Sequence, residues 1–475
     1  MKRKLNEDFT AMVDAICRLP GGEALRHLTK SLENDEPSVA IRINPLKEKS
    51  IPDGMRKVAW ATDGVYVDGL RPRFTFDPAM HQGRYYVQDA SSMVIGTIAG
   101  ELAGDKPVIY IDSCAAPGGK TTAAISALPE GSLMIANEYD RRRAEALCEN
   151  IIKWGYPDIA VTSCDTAGYT RLGPIADIVA ADVPCSGEGM MRKETAAVEQ
   201  WSPALVEQCA ALQRSIIDNM WKALKPGGYF IYSTCTFNRT ENEENVAYIA
   251  ETLGGIPVDM HLSERFETIA PGIDTPYPAA RFIPGRTEGE GLFVAVMRKP
   301  EDDAAASQRH DRRKESRQKE KHSSGAATTE AWIDGDGYEL TTDGDRITAL
   351  PKRWLTTINI LKKNLNVIYA GTEIAIVKGR DAIPSQALAA SRLLRRETWA
   401  EAEVDYSTAL QFLSRQAITL DDAPKGIILL TYDGHPLGFV KNLGNRANNL
   451  YPQAWAIRST HLPDERPDVL KTEKS

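Results

Sequence analysis

Apolar and polar positions follow two alternating patterns through the middle of the chain, from about Pro107 onward. Short apolar runs are typical of buried strands, and the stretches between them, with apolar residues every three or four positions, are typical of helices. The predicted strands are "VIYIDSC", "SLMIANE", "IAVTSCD", "DIVAADVPC" and "YFIYSTCT", and the predicted helices include "KTTAAISAL", "RRRAEALCENIIKW" and "SPALVEQCAALQRSIIDNMWKAL". This alternation predicts an α/β fold with a parallel, doubly wound sheet that is covered on both faces.

Other patterns flank this sheet. "ARFIPGRTEGEGLFVAVMRK" predicts two strands joined without a helix, and therefore an antiparallel hairpin at the sheet edge. Upstream, a helical pattern at Phe9, Met12, Val13 and Ile16 and the strand "SVAIRINPLK" predict a separate α+β unit. Downstream, strand and turn signals, with a hairpin turn at Asp433-Gly434, predict a small β-rich region.

The clearest boundary is "EDDAAASQRHDRRKESRQKEKHSSGAATTE", which contains no Trp, Tyr, Phe, Ile, Leu or Val and cannot bury a core. We interpret it as a flexible charged linker. The predicted organisation is an N-terminal unit at 1–90, the sheet domain at 91–300, the linker at 301–330 and a β-rich region at 331–475.

Composition excludes several classes of protein. With 475 residues, 42% hydrophobic and 26% charged, the chain is typical of a globular protein of more than one domain. We see no 18-residue apolar run and no signal peptide, so we expect a cytoplasmic protein without a membrane partner. Seven scattered cysteines predict free thiols and no metal site. A net charge of −8 argues against a protein that is basic over its whole surface, but it allows local basic patches.

A glycine-rich turn, "DSCAAPGGKTT", joins the first predicted strand of the sheet to the first helix. One interpretation is a phosphate-binding P-loop, because Gly119-Lys120-Thr121 matches the end of that motif. However, Cys114 stands where the motif requires glycine, and Pro117 removes a backbone N–H from the phosphate cradle. The other interpretation is a nucleoside-binding loop.

Acidic residues at three predicted strand ends favour the nucleoside. Glu138 is placed to accept both ribose hydroxyls, and Asp165 is placed to meet an adenine amino group. With Asp182, these carboxylates would repel a triphosphate. They suit a neutral or cationic adenosine such as S-adenosylmethionine.

Cys185 and Cys235 end the fourth and fifth predicted strands. Ligands of open α/β sheets bind beyond the carboxyl ends of the strands, so both thiols should face the crevice of the glycine loop. Beside a methyl donor, a thiolate is useful for a carbon target: addition to carbon 6 of a pyrimidine activates carbon 5 as a nucleophile. Asp182, three residues before Cys185, could hold the ring N3 and the exocyclic amine. The pair indicates a pyrimidine-C5 methyltransferase without deciding which thiol attacks.

Three motifs in order, "DSCAAPGGKTT", "ADVPCSGEGMMRK" and "YSTCTFNRTENEENV", resemble those of the Sun-type RNA cytosine-C5 methyltransferases. "VAIRINP", "GRYYVQDASSM" and "GEGLFVAVMRK" add to the resemblance, and "LGFVKNLGNRANNLYPQAWAIR" is similar to the PUA-like tail of the bacterial F-type branch that methylates 16S ribosomal RNA. "DVPC" departs from the family's common "DAPC", and we expect tighter packing there without loss of chemistry.

The resemblance implies a Rossmann-like S-adenosylmethionine-dependent methyltransferase sheet between an N-terminal RNA-recognition unit and a PUA-like C-terminal domain. It implies that Cys235 is the nucleophile, that Cys185 acts in product release, and that Asp182 belongs to the site. The implied cofactor-binding residues are Cys114, Ala115, Ala116, Pro117, Gly118, Gly119, Lys120, Glu138, Asp165 and Asp182.

RNA is the implied partner, with the target base flipped out of its stack or already single-stranded. Candidate RNA contacts combine cations, amides and one aromatic ring: Arg42, Asn44, Arg192, Lys193, Lys441, Asn445, Arg446, Asn448, Asn449 and Tyr451. The expected activity is methylation of cytosine carbon 5 in 16S ribosomal RNA of the small subunit, by a monomer. A transfer RNA methyltransferase, a P-loop NTPase and an RNA-binding assembly factor remain alternatives.

Overall fold

The computed structural model describes residues 4–301, 329–459, 461–467 and 469–470. The predicted linker at 301–330 therefore lies almost entirely outside the described residues. None of the described helices has the length and hydropathy that crossing a bilayer requires.

The N-terminal part combines three helices with a small antiparallel sheet in the order β2-β1-β3. Asn6 caps the first helix by accepting a hydrogen bond from the Asp8 N–H, and Phe9, Val13 and Ile16 form its buried face as the pattern predicts. The elements are α1 Glu7–Ile16, α2 Leu28–Asn34, β1 Ala40–Ile43, β2 Gly64–Tyr66, α3 Pro78–His81 and β3 Tyr85–Val87.

The central part confirms the predicted alternation of strands and helices. Its strands are β4 Ile109–Asp112, β5 Leu133–Asn137, β6 Ile159–Thr162, β7 Ala176–Asp182, β8 Leu224–Thr234, β9 Ile256–Val258, β10 Ala270–Pro271, β11 Ala280–Phe282 and β12 Leu292–Arg298. Its helices are α4 Val94–Ala103, α5 Gly119–Ala127, α6 Arg141–Trp154, α7 Thr195–Gln200, α8 Pro203–Ala223, α9 Glu243–Glu251 and α10 Leu262–Arg265.

Five parallel strands form the middle of the sheet in the order β8-β7-β4-β5-β6. Their carboxyl ends meet at one edge, and the order reverses at β4, which is where such sheets bind ligands. The predicted hairpin is confirmed: β11 and β12 are antiparallel, and β12 continues the sheet beside β8. Apolar side chains bury both faces of the parallel strands.

The opposite edge of this sheet is completed from the C-terminal part of the chain. A strand at Val367–Ala370, which we label β15, pairs antiparallel with β6. The sequence pattern placed this segment in the β-rich region, because nothing local shows that the backbone groups of β6 need a partner.

The remaining C-terminal elements form two four-stranded sheets, β13-β14-β16-β17 and β18-β19-β20-β21. Asp433 and Gly434 both adopt positive φ, 51° and 72°, and form the predicted two-residue hairpin turn between β19 and β20. The strands are β13 Tyr338–Asp343, β14 Arg346–Pro351, β16 Thr372–Lys378, β17 Asp381–Pro384, β18 Ala400–Glu403, β19 Gly426–Tyr432, β20 His435–Asn442 and β21 Ala447–Asn449. The helices are α11 Leu355–Asn364, α12 Gln386–Ala390 and α13 Tyr406–Leu413.

Candidate active site

The glycine loop connects β4 to the N-terminus of α5, at the edge where the strand order reverses. Gly118 adopts a φ of 111°, which favours glycine, and α5 begins at Gly119. A Cβ on Gly119 would lie 3.4 Å from the side chains of Gln88 and Tyr86, so the loop approaches the N-terminal part closely. The N–H groups at the start of α5 are available to a ligand, because the first turn of a helix offers them no carbonyl partner within the helix.

Two of the predicted acidic residues follow the neighbouring strands. Glu138 comes directly after β5 and accepts a hydrogen bond from the Asp140 N–H through Oε1. Its Oε2 is buried without a hydrogen-bond partner, although Arg143 lies 3.5 Å away. Asp165 is exposed, and its Oδ1 accepts from the Ala167 N–H at 2.8 Å. An unsatisfied buried carboxylate oxygen fits a ribose hydroxyl donor, so these residues are compatible with a bound adenosine.

A cavity of about 360 Å³ opens between the glycine loop, the end of β7 and the segment after β8. Its lining includes eight of the predicted site residues: Cys114, Ala115, Ala116, Pro117, Gly119, Lys120, Asp182 and Cys235. Gly118, Glu138, Asp165 and Cys185 are not part of that lining. Tyr86, Gln88, Asp89 and Ser92 of the "GRYYVQDASSM" segment also line the cavity. We did not predict those four, since their segment supported only the resemblance.

Asp182 is held by two donors at the end of β7. Lys120 Nζ lies 2.7 Å from Oδ2, and Ser233 Oγ donates to Oδ1 at 2.9 Å. Burial alone would lower the pKa of Lys120, but the facing Asp182 carboxylate outweighs it and raises that pKa. The Lys120 side chain therefore contacts Asp182 directly, a partner that the loop motif does not predict.

Asp112, at the end of β4, lies beneath the same loop. Burial raises its pKa from the usual 3.8 to about 7, although Thr121 Oγ1 donates a hydrogen bond to its Oδ2 at 2.7 Å. Burial also raises the pKa of the Cys114 thiol, to about 12, which leaves this cysteine neutral. Cys114 thus acts as packing in the loop and not as a reactive thiol.

The two cysteines come together, with 3.2 Å between their Sγ atoms. Cys235 follows directly after β8. Cys185 does not end the fourth strand as predicted: β7 ends at Asp182, since Pro184 has no N–H to continue the ladder. The hydrogen bond with Cys235, and then burial, raise the pKa of Cys185 well above its ordinary value. Cys185 is therefore a neutral thiol that faces the Cys235 sulfur.

Two buried carboxylates hold the loops that carry these thiols. Glu241 accepts hydrogen bonds from the Ser186 N–H at 3.0 Å and from Ser186 Oγ at 2.5 Å. Glu188 accepts from the backbone N–H groups of Phe237 and Asn238 at 2.5 and 3.1 Å. The Asn238 amide nitrogen donates to both carboxylates at 2.8 Å. The segment after Cys185 is thus bonded to the segment after Cys235.

Charged residues meet where the loop after β7 contacts the segment before β12. Glu290 is buried, and its Oε2 accepts from Arg192 Nε at 3.1 Å. Lys193 Nζ lies 3.5 Å from Oε1, and its side chain is 32% exposed. Glu290 and Lys193 both line the cavity. Arg192 is buried against Glu290 and the Gly289 carbonyl, so its predicted contact with RNA is wrong.

The candidate RNA contacts at Arg42 and Asn44 are also wrong. Arg42 is 1% exposed and donates to Gln88, Asp63, Ser126 and Thr122 side chains. Asn44 is fully buried and donates to the Gly83 and Trp154 carbonyls. Both residues join the N-terminal part to the sheet domain, which a single sequence cannot distinguish from RNA binding.

The tail candidates divide by exposure. Tyr451 is fully buried in the C-terminal core, against Phe412 and Trp455, so its predicted RNA contact is wrong. The Asn449 amide is half-buried and donates to the Phe412 carbonyl at 2.8 Å. The exposed candidates are Lys441, Asn445, Arg446 and Asn448.

Three family models match the chain. They describe the N-terminal domain of 16S rRNA methyltransferase RsmF at residues 5–90, 16S rRNA methyltransferase RsmB/F at 102–298, and the methyltransferase RsmF PUA domain at 400–457. Ribosomal RNA small subunit methyltransferase F of Shewanella amazonensis is 31% identical over 443 residues, which cover 87% of this chain and 91% of the relative. The protein of the same name from Escherichia fergusonii is 34% identical over 281 residues, covering 55% and 57% of the two chains.

Solved structures show the same fold. NSun6 from Pyrococcus horikoshii, crystallised with SFG, superposes with a TM-score of 0.51 at 22% identity, over 61% of this chain and 98% of the other. A methyltransferase homologue from the same organism superposes with a TM-score of 0.52 at 23% identity, over 62% and 95%. These likenesses show the fold of the central sheet and of the elements that pack around it.

Proposed function

Because the chain belongs to the ribosomal RNA small subunit methyltransferase F family, we propose that it methylates carbon 5 of a cytosine in 16S ribosomal RNA. S-adenosylmethionine supplies an electrophilic methyl group when it is bound. The observation that supports this chemistry most directly is the 3.2 Å contact between the Cys185 and Cys235 sulfurs, which lie in the segments that follow the neighbouring strands β7 and β8. Asp182 and the glycine loop line the cavity into which Cys235 opens.

Cys235 is the proposed nucleophile. Carbon 5 of cytosine attacks poorly until a thiolate adds to carbon 6 and makes the ring an enamine. Cys235 lines the cavity together with the glycine loop, whereas Cys185 is not part of that lining. This arrangement supports the assignment of attack to Cys235, which the resemblance implied.

Asp182 and Lys120 are proposed to hold the pyrimidine during addition. Each oxygen of Asp182 accepts one hydrogen bond, from Lys120 or from Ser233. Because a carboxylate oxygen has two lone pairs, Asp182 can also accept a hydrogen bond from the exocyclic amine of cytosine. As electrons move toward N3 of the ring, Lys120 provides a nearby proton donor.

Cys185 is proposed to act when the product leaves. A base takes the proton from carbon 5, its electron pair re-forms the carbon 5–carbon 6 double bond, and the bond between carbon 6 and Cys235 Sγ breaks with its pair returning to sulfur. A neighbouring neutral thiol stabilises the departing thiolate by donating a hydrogen bond to it. Cys185 is a neutral thiol 3.2 Å from that sulfur, which supports this role.

The cofactor is proposed to lie over the glycine loop. The backbone from Cys114 to Lys120 would face its methionine and sulfonium part, and the free Oε2 of Glu138 would accept its ribose hydroxyls. Asp165 would accept the adenine amino group through the oxygen that does not bond Ala167.

The substrate setting is part of the same proposal. Ribosomal RNA of the small subunit, free or assembled, is the partner, and we place the enzyme in the cytoplasm with that RNA, acting as a monomer. We also propose that the chain is divided into an N-terminal unit, a sheet domain, a linker and a C-terminal region at residues 90, 300 and 330.

The two cysteines provide the test of mechanism. We expect Cys235→Ala to abolish methyl transfer and to form no covalent RNA complex. Cys185→Ala should accumulate a covalent RNA adduct, seen as a gel shift under denaturing conditions, because elimination is blocked after attack. The reverse pattern would exchange the two roles, and Cys209→Ala, at a half-buried position of α8, is the matched control.

Bisulfite sequencing of RNA tests the substrate. In a strain that lacks the gene, a 5-methylcytosine of 16S ribosomal RNA should be absent, and the cloned gene should restore it. Unchanged ribosomal RNA with a lost transfer RNA methylation would contradict the proposed substrate.

A further inference from the structure

We propose that Lys193, held in place by Glu290, contacts O2 of the target cytosine and stabilises the charge that forms there when Cys235 attacks. This inference rests on the proposed function. It assigns a role in the reaction to the lysine that ends the motif "ADVPCSGEGMMRK", which the sequence marks only as a candidate RNA contact.

The position of the pair supports the proposal. Glu290 and Cys235 lie side by side: the Glu290 carbonyl oxygen and the Cys235 Cβ are each 3.1 Å from the point where a Cβ on Gly189 would stand. Lys193 belongs to the same loop as Gly189, and its side chain lines the cavity with Cys235 and Asp182. Lys193 and Asp182 therefore reach the substrate cavity from different segments.

The contacts of Glu290 explain how Lys193 is oriented. Arg192 Nε binds Oε2, and the backbone N–H of Glu290 donates to Asp89 Oδ1 at 2.8 Å, so the residue is anchored at two points. Its Oε1 is buried without a hydrogen-bond partner, and Lys193 Nζ lies 3.5 Å away. Glu290 is thus a positioning residue that keeps the ammonium at the cavity, while the exposed part of Lys193 stays available to substrate.

The chemistry needs a donor at this place. When Cys235 Sγ bonds carbon 6, the pair from the carbon 5–carbon 6 double bond shifts to carbon 4–carbon 5. The carbon 4–N3 pair then moves onto N3, from which it delocalises onto O2. A proton at N3 and a cation at O2 both stabilise this state, and electrostatic stabilisation of such charge in a shielded site is worth about 100-fold in rate. Asp182 with Lys120 serves the N3 and amine side, and Lys193 serves O2.

The alternative role for Lys193 is a contact with an RNA phosphate. The two roles predict different measurements. A phosphate contact contributes to affinity at every sequence and to the dependence of affinity on salt. A contact with O2 contributes little before the base is attacked, and its loss appears in the rate of chemistry.

The experiment compares Lys193→Met, Lys193→Arg and Glu290→Gln with the wild type on small ribosomal subunits and free 16S rRNA from the deletion strain. Methyl transfer is measured in a single turnover at saturating RNA, together with the RNA Kd at several salt concentrations. Lys222→Met, on the exposed face of α8, is the matched control for loss of a lysine charge.

We expect Lys193→Met to slow single-turnover transfer about 100-fold, with the RNA Kd and its salt slope within about twofold of wild type. Lys193→Arg should recover most of the rate, and Glu290→Gln should show the same defect in a milder form. Because Lys193 and Glu290 act as a unit, their double variant should lose no more than Lys193→Met alone.

A normal rate at saturating RNA for Lys193→Met would overturn the inference, and a salt slope reduced by about one would identify a phosphate contact instead. If the wild type itself transfers no methyl group to either RNA, the proposed function fails and not only this inference. Thermal unfolding of Lys193→Met and Lys193→Arg, whose altered side chain is partly exposed, separates a catalytic loss from a folding defect.

Discussion

At the scale of single residues, the thiols depend on carboxylates that have no part in the chemistry. Glu188 and Glu241 are buried and accept hydrogen bonds from the segments that follow the two cysteines. Burial raises the pKa of both carboxyl groups, and the donors around them oppose that shift. A carboxylate with several donors can hold two loops together, whereas an amide of the same shape must turn its NH₂ toward some of those donors.

Glu241→Gln should therefore loosen the contact between the two cysteine loops. The free energy of unfolding should fall by about 2–3 kcal/mol, because a buried donor loses its acceptor. Single-turnover methylation should fall at least tenfold with little change in KM for S-adenosylmethionine, whose proposed site lies elsewhere in the cavity. Glu244→Gln, at an exposed position of helix α9, which begins just after Glu241, should change neither quantity. Normal turnover of the Glu241 variant would show that the thiols are positioned without this group.

At the scale of elements, the loop between β7 and α7 carries Cys185 and brings Gly189 and Lys193 to one wall of the cavity. The Gly189 N–H donates to the Cys235 carbonyl at 2.7 Å, so the backbone of this loop is bonded to the proposed nucleophile. A Cβ on Gly189 would stand 2.7 Å from that carbonyl oxygen, closer than side-chain carbons come in real structures.

Gly189→Ala should thus move the loop away from Cys235 while leaving the sheet intact. We expect methyl transfer to fall at least tenfold, and stability to fall by about 1–3 kcal/mol as in other overpacked sites. Gly173→Ala is a comparison at a position with no atom within 4 Å of the added Cβ; its positive φ gives a small stability cost without a loss of rate. Both are measured by single-turnover transfer and chemical denaturation. Wild-type turnover in the Gly189 variant would mean that the loop adjusts freely.

At the scale of the whole molecule, the N-terminal part contacts both the sheet domain and the C-terminal part. Lys47 Nζ donates to the carbonyls of Gln82 and Lys153 at 2.5 and 2.6 Å, and burial lowers the pKa of Lys47 to about 7. The Gln82 amide nitrogen donates to the Tyr432 and His435 carbonyls, both at 2.9 Å. Gln82 thus bridges to the hairpin between β19 and β20.

Gln82→Ala should weaken the hold of the C-terminal part. Two carbonyls lose a buried donor, so we expect a loss of about 2–3 kcal/mol of stability. Hydrogen exchange of β19 and β20 should become faster, and methylation of 16S rRNA should fall mainly through weaker RNA binding. Gln416→Ala, at an exposed position, is the control. Unchanged exchange in β19 and β20 would contradict a role for this bridge.

Much of the fold follows from local pattern. The order of strands and helices, the hairpin of β11 and β12 and the turn at Asp433-Gly434 were predicted because each depends on residues close together in the chain. The segment of β15 was predicted to belong to the β-rich region and not to the central sheet, because its partner β6 lies about 200 residues earlier and pairing over that distance leaves no local signal.

The candidate site could be predicted from the sequence to about the same extent as the fold. Parallel strands place their carboxyl ends together, so the sequence alone brought Cys185, Cys235 and Asp182 to the glycine loop. It could not show that Lys120 binds Asp182, or that Glu290 holds Lys193, because each pair joins residues tens of positions apart. Conversely, Arg42 was predicted to contact RNA but is buried. The sequence could not show this burial, because a cationic side chain in a single sequence does not reveal whether solvent or a carboxylate faces it.

The sequence by itself therefore determined the class of fold, the glycine loop, and the pair of thiols that marks carbon-directed methyl transfer. The tertiary structure decided which charged residues face the cavity and which lie in domain contacts, and it placed the Cys185 thiol against the Cys235 sulfur. The physical reason is that periodicity and turn chemistry act over a few residues, whereas burial, hydrogen-bond partners and the pKa of a thiol depend on atoms that only folding brings together.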